Sequence, residues 1–147
     1  MEQEIGTGTI RQVTPANPVA GVFGYVSVPE GVKWRVIAFV QDCLISGDAG
    51  VRSPAVQVAD SSGNVLGRFP GFVGFGSVSF TMTISVGEGS YVQTGFGSDR
   101  YNLPIPEKMI LTAGMRIGGY VVGGTANDDW AAPVMLVEEW VVPKVAS

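Results

Sequence analysis

Residues 26–40 read VSVPEGVKWRVIAFV, and residues 109–122 read MILTAGMRIGGYVV. Both run an apolar strand into a short turn ending in glycine. An apolar residue, a nearby basic residue and a second strand follow. Gly31 and Gly114 fall where a turn favours positive φ, which glycine adopts without steric cost. An echo of this kind across one all-β chain fits two Greek-key halves, as in a jelly roll. Two unrelated hairpins with similar turns would read the same way, and an immunoglobulin-like sandwich is the competing architecture.

The first of these pieces poses a question. Lys33 and Arg35 point one way, and Trp34 and Val36 the other, as in any half-buried strand. Continued alternation keeps Val36, Ala38 and Val40 on the Trp34 face. Ile37 and Phe39 then place apolar bulk on the face that Lys33 and Arg35 began. Either the chain covers that face itself, or another protein does.

Working outward, the remaining segments are also short and β-rich. VSFTMTISV, residues 78–86, alternates Val78, Phe80, Met82, Ile84 and Val86 against Ser79, Thr81, Thr83 and Ser85. Its hydroxyl face is expected to meet water or a wet contact. Further strands are expected over 21–28, 32–45, 90–96, 108–114, 115–122 and 132–142. Residues 55–60 and 65–69 read as a hairpin, because Asp60, Gly63 and Asn64 supply its turn chemistry. The chain contains 21 glycines and nine prolines and shows no sustained helical period. The expected fold is therefore all-β: a single-domain antiparallel β-sandwich, jelly-roll-like, over residues 21–147. Residues 1–20 form an extended N-terminal arm carrying Ile5, Ile10 and Val13, with TPANP as a stiff joint. Residues 70–77, PGFVGFGS, place Phe72 and Phe75 on a glycine-rich loop, pinned on the core or aimed at a partner.

Composition limits the function. The chain has 147 residues, 46% hydrophobic and 15% charged, ample for one core. Its net charge is −4, and its nine basic residues are scattered, so no stripe tracks a phosphate backbone and nucleic acid is not an expected partner. The apolar stretches are too short for a membrane-spanning helix. The first residues lack the features of a signal peptide, so synthesis in a cytosol is expected. With no histidine, Ser-His-Asp and Cys-His chemistry and the usual zinc sites are excluded. Cys43, the single cysteine, reads as a small buried hydrophobe. Adjacent strand residues Glu138 and Glu139 point to opposite faces and cannot form one catalytic dyad. Asn127, Asp128 and Asp129 lack the alternating spacing of a calcium loop. No cofactor or metal is expected, and no enzyme. Trp34 and Trp140 read as packing residues, whereas Trp130 follows two aspartates in a loop and is the exposed candidate for sugar stacking or an interface.

VPEGVKWRVIAFV, VQVADSSGNVLGRF, LPIPEKMILTAGMRIGGY and NDDWAAPVMLVEEW together resemble, in this order, the jelly-roll cement (decoration) proteins of tailed-bacteriophage heads. The resemblance covers roughly residues 25–140. Glu30 stands where such chains often carry alanine, a harmless turn change. The resemblance implies a non-enzymatic virion protein on the capsid exterior, stabilising contacts between major capsid proteins. It carries over no catalytic residue. Expected partners are the major capsid protein and a second copy of the chain, a dimer being favoured over a trimer because isologous pairs are the commonest assembly. The interface residues this reading selects are Ile5, Ile10, Val13, Ile37, Phe39, Phe72, Phe75 and Trp130. The alternative is a tail or fibre-tip β-sandwich that binds a host glycan through Trp130.

Overall fold

The computed structural model describes residues 8–18, 24–70, 80–86, 93–95, 98–103, 105–106 and 109–144. They form β1 (Thr9–Val13), β2 (Tyr25–Ser27), β3 (Val32–Ile45), β4 (Ser53–Ala59), β5 (Val65–Pro70), β6 (Phe80–Val86), β7 (Gln93–Gly95), β8 (Ser98–Asn102), β9 (Ile110–Thr112), β10 (Arg116–Val122), β11 (Asp129–Trp130) and β12 (Val134–Val141). The fold is an all-β sandwich. Its larger sheet runs β1-β12-β3-β6-β8-β7, with β9 and β11 also paired to β3. Its smaller sheet runs β2-β10-β4-β5. Pairing is antiparallel throughout except between β6 and β8.

The echo in the sequence is a feature of the fold. The two echoed pieces are arches that each cross between the sheets, and they lie against one another in opposite directions. Thus β2 pairs with β10, and β3 pairs with β9. Their turns clasp: the Val28 amide donates to the Met115 carbonyl at 2.9 Å, and the Gly114 amide donates to the Val28 carbonyl at 3.0 Å. Gly31 and Gly114 take φ of 81° and 83°, as their turn positions predict. The expected β4–β5 hairpin forms too. Asp60 Oδ1 accepts the Ser62 and Asn64 amides at 2.9 and 2.8 Å.

Strand β3 answers the question of the second face. Its partners on β12 jump from Ala38 to Val36, which leaves Ile37 as an extra residue in a β-bulge. On its other side, β9 ends opposite Arg35 and β6 begins opposite Phe39. The bulge therefore sits where the neighbour changes. It restarts the alternation, and a one-residue slip flips every later side chain. Trp34 and Val36 face the core before it, and Phe39, Gln41, Cys43 and Ile45 face the core after it. Phe39, expected outside with Ile37, is fully buried for this reason.

The core gathers Trp34, Phe39, Ile84, Met135 and Val137 of the larger sheet against Val26, Val56, Val58, Ile117 and Val121 of the smaller. Gln41 crosses between the sheets. Its amide nitrogen donates to the Gly24 and Ala131 carbonyls at 3.3 and 3.0 Å, and its oxygen accepts the Gly119 amide at 2.7 Å. Burial without these bonds would be costly for a primary amide.

Of the expected N-terminal arm, residues 9–13 form β1 and are seated on the chain's own sheet beside β12. Strands β8 and β11 were not expected from the sequence.

Candidate docking surface

Once the bulge is placed, the outer face of the larger sheet can be read off the register. Val134 lies across from Val40, Leu136 across from Ala38 beside the bulged Ile37, and Ile10 across from Glu138. Ile10, Ile37, Val40, Leu44, Val134 and Leu136 are aliphatic and 36–55% exposed. Single exposed aliphatics are ordinary, but Ile37, Val40, Val134 and Leu136 adjoin across β3 and β12 and form an apolar field, with Ile10 beside Glu138 and Leu44 beyond Asp42 on the same face.

Polar groups rim this field. At one end the Arg35 guanidinium meets Glu138 at 2.6 Å, and Lys33 lies 5.8 Å from the Trp140 ring centre. At the other end the Thr83 hydroxyl donates to Asp42 at 2.6 Å. Beyond Leu44 an open pocket is lined by Asn17, Asp42, Thr81 and Asp129, among others. An apolar centre inside a polar rim is the usual anatomy of a protein interface.

Glu138 and Glu139 point to opposite faces, as their adjacency requires. Glu138 belongs to the outer rim. Glu139 lies on the inner side, where it accepts the Trp34 indole N–H at 2.7 Å and an Arg11 N–H at 2.9 Å. Burial pushes its carboxyl up, but the bonds from Trp34 and Arg11 outweigh burial and hold it below the ordinary carboxylate range. A depressed folded pKa contributes stability above the unfolded pKa, and that stability is lost as pH falls through the folded value. Acidification is therefore expected to loosen β1 from β12 before the rest of the sheet. The protection factor of the Arg11 amide, from NMR-followed exchange corrected for the intrinsic pH dependence, should fall at acid pH ahead of that of Val56. An equal fall in protection at both sites would refute this local release.

The structure divides the residues selected from sequence. Ile10 and Ile37 lie on the apolar field. Val13 is half-buried against the core edge. Phe39 is in the core, and Trp130, expected to be exposed, is only 4% exposed. Its ring packs over Gly119, where a Cβ would stand 2.4 Å from Trp130 Cζ3. Only a glycine permits that approach, and this is why a loop tryptophan becomes a core residue. Ile5, Phe72 and Phe75 lie outside the described residues. Sequence reasoning missed Val40, Leu44, Val134 and Leu136. The signal for the last two was present, because the run VMLV in β12 is apolar on both faces.

Other chemistry-bearing groups are already engaged. Asp128 is 2% exposed and accepts the Ser46 and Thr125 amides, each at 2.9 Å, while Asn127 turns to Asp48. The three residues weighed for calcium therefore do not converge. Among the described residues, no group of three or more Cys, Asp or Glu is placed to hold an ion. Burial, with Asp128 and Asp129 nearby, pushes the Cys43 thiol far up, so it lacks the thiolate character of a nucleophile. Compared with protein-family models, curated proteins and solved structures, the chain has no significant match in any of the three.

Proposed function

We propose that this chain is a non-enzymatic structural protein that lays the outer face of its larger sheet on a protein shell. The shell it fits is a tailed-phage head, with the major capsid protein as partner and the capsid exterior as location. The observation that carries this reading is the field of Ile10, Ile37, Val40, Leu44, Val134 and Leu136. Apolar surface left in water forfeits about 25 cal/mol per Å² that burial would return. An open sheet face suits a broad, shallow contact better than a small ligand, which needs a concave pocket. Repetition over a symmetric shell lets many modest contacts act together. The sequence resemblance to cement proteins supports the same partner. The glycan reading built on Trp130 loses its residue, because that ring is buried.

The test combines copy number with one substitution. Quantitative mass spectrometry of purified particles should find this chain and the major capsid protein in a ratio of one or a simple fraction. Leu136→Asp places a charge in the middle of the field and should weaken retention on shells by about tenfold or more, since burying an unpaired charge costs several kcal/mol. Its unfolding temperature should change little, because Leu136 faces outward. A handful of copies per particle, absence from the particle, or full retention of Leu136→Asp would each refute the reading. A second copy is the other occupant of this face, and the mass of the free protein in solution reads it directly.

A further inference from the structure

The opposite side of the sandwich has a different character. On the outer face of the smaller sheet, Tyr25, Gly118, Gln57 and Arg68 form one row across all four strands. Tyr120 and Arg116 flank that row on β10. Gly118 leaves a gap between Tyr25 and Gln57, and a Cβ there would stand 2.9 Å from Tyr25 Cδ1. Through that gap the Gln57 amide donates to the Tyr25 hydroxyl at 2.6 Å. At its other end, Gln57 Oε1 accepts Arg68 Nε at 3.0 Å and Arg68 Nη2 at 2.6 Å. The Arg68 guanidinium also lies over the Tyr120 ring, 4.1 Å from its centre. Gln57 is 5% exposed, although this is the solvent side of the sheet. This arrangement lies outside the hydrophobic core. Its effect is to hold an exposed guanidinium rigidly in one pose, beside two phenols and a second arginine.

The geometry points to a binding site for an acidic polysaccharide, a chain of uronic-acid-type sugars lying across the four strands of the smaller sheet. Each feature of the row matches that chemistry. Arg68, gripped by Gln57 on one edge, keeps its Nη1 edge available for a carboxylate, and a fork of this kind binds carboxylates bidentately. Arg116, two residues from Gly118 along β10 and donating to the Ser61 carbonyl at 3.1 Å, offers a second cation in a chain whose net charge is −4. Tyrosine rings suit the apolar ring faces of sugars, while the Gln57 amide, bonded at both ends, serves to hold Tyr25 and Arg68 in place. The row from Tyr25 to Arg68 spans three strand spacings, about 14 Å, enough for an extended chain rather than one sugar. A peptide strand is instead held by a sheet edge and by pockets for alternate side chains. This row lies on a face, not along a sheet edge. Immobilising Arg68 in advance removes the ordering entropy a ligand would otherwise have to overcome.

The test measures binding of polygalacturonate oligomers to the full chain by calorimetry, with dextran as a neutral control. Poly-L-glutamate at the same carboxylate concentration and ionic strength is the polypeptide control. Wild type should bind polygalacturonate and not dextran. Arg68→Gln should weaken binding by about tenfold, the loss of one charge-assisted pair. Arg68→Lys should weaken it comparably, because a point charge does not reproduce the fork. Leu136→Asp should bind as wild type does, so this site and the shell-docking face can fail separately. Lack of polygalacturonate binding, full binding by Arg68→Gln or Arg68→Lys, or equal binding of poly-L-glutamate would each overturn the assignment.

Discussion

Asp128→Ala is expected to destabilise the fold by about 3–5 kcal/mol, a large share of the roughly 5–15 kcal/mol that holds an ordinary domain together. Arg52 is fully buried, and only its Nη2 has a hydrogen bond, to Ser46 Oγ at 3.1 Å. Its Nε stands 3.5 Å from Asp128 Oδ2, a charge contact rather than a hydrogen bond. Among the described residues, Nε and Nη1 find no hydrogen-bond partner. The guanidinium therefore depends on the Asp128 charge to offset its desolvation. Asp128 also caps the Ser46 and Thr125 amides, so removing it orphans two backbone donors together with one cation. Arg52→Met removes the cation and leaves both amides bonded, and should cost less than Asp128→Ala. Urea unfolding of both variants checks the order. A loss under about 1 kcal/mol for Asp128→Ala would mean that Arg52 is compensated by something other than Asp128.

Gly119→Ala is the second large effect, at about 3 kcal/mol or more. The added methyl would stand 2.4 Å from Trp130 Cζ3 and 2.8 Å from Gln41 Oε1. The ring is enclosed and rigid, and the Gln41 oxygen is held there by the Gly119 amide itself. Relief requires Trp130 to leave its site or Gln41 to release both sheets. Gly31→Ala provides the contrast. No atom lies within 4 Å of its Cβ position, and only its φ of 81° opposes the change, at about 1 kcal/mol. Thermal unfolding and tryptophan emission of the two variants separate overpacking from backbone strain. If Gly119→Ala were as mild as Gly31→Ala, with unshifted emission, the Trp130–Gly119 contact would not be as close as described.

Much of the sandwich was legible because its signals are local. Gly31 and Gly114 sit at turn positions that the surrounding residues define, and Asp60–Asn64 supplies its own hydrogen bonds. The facing of Glu138 and Glu139 follows from adjacency alone. The errors concern features that distant partners decide. Alternation along β3 gives no warning that the strand changes neighbours between Arg35 and Phe39, so the bulge and the burial of Phe39 stayed hidden. Ser98–Asn102 is short and polar and becomes a strand because β6 and β7 are there to pair with it. Trp130 follows two aspartates, and its burial depends on a glycine in another strand. The apolar field was half legible. Ile10 and Ile37 were found, but Val40 and Leu44 change sides with the bulge.

The seating of β12 between β1 and β3 constrains how the chain folds as it is made. Arg11 and Glu139 meet although they are 128 positions apart, and Trp34 and Glu139 although they are 105 apart. On a ribosome, β1 and β3 emerge early and must wait for the strand that joins them. Until β12 arrives, one long flank of β3 has no partner, and its backbone groups and apolar side chains can pair with the wrong segment or with another nascent chain. Loop-closure entropy makes such long-range pairing slow, so the sheet's final strand also sets the pace of its completion.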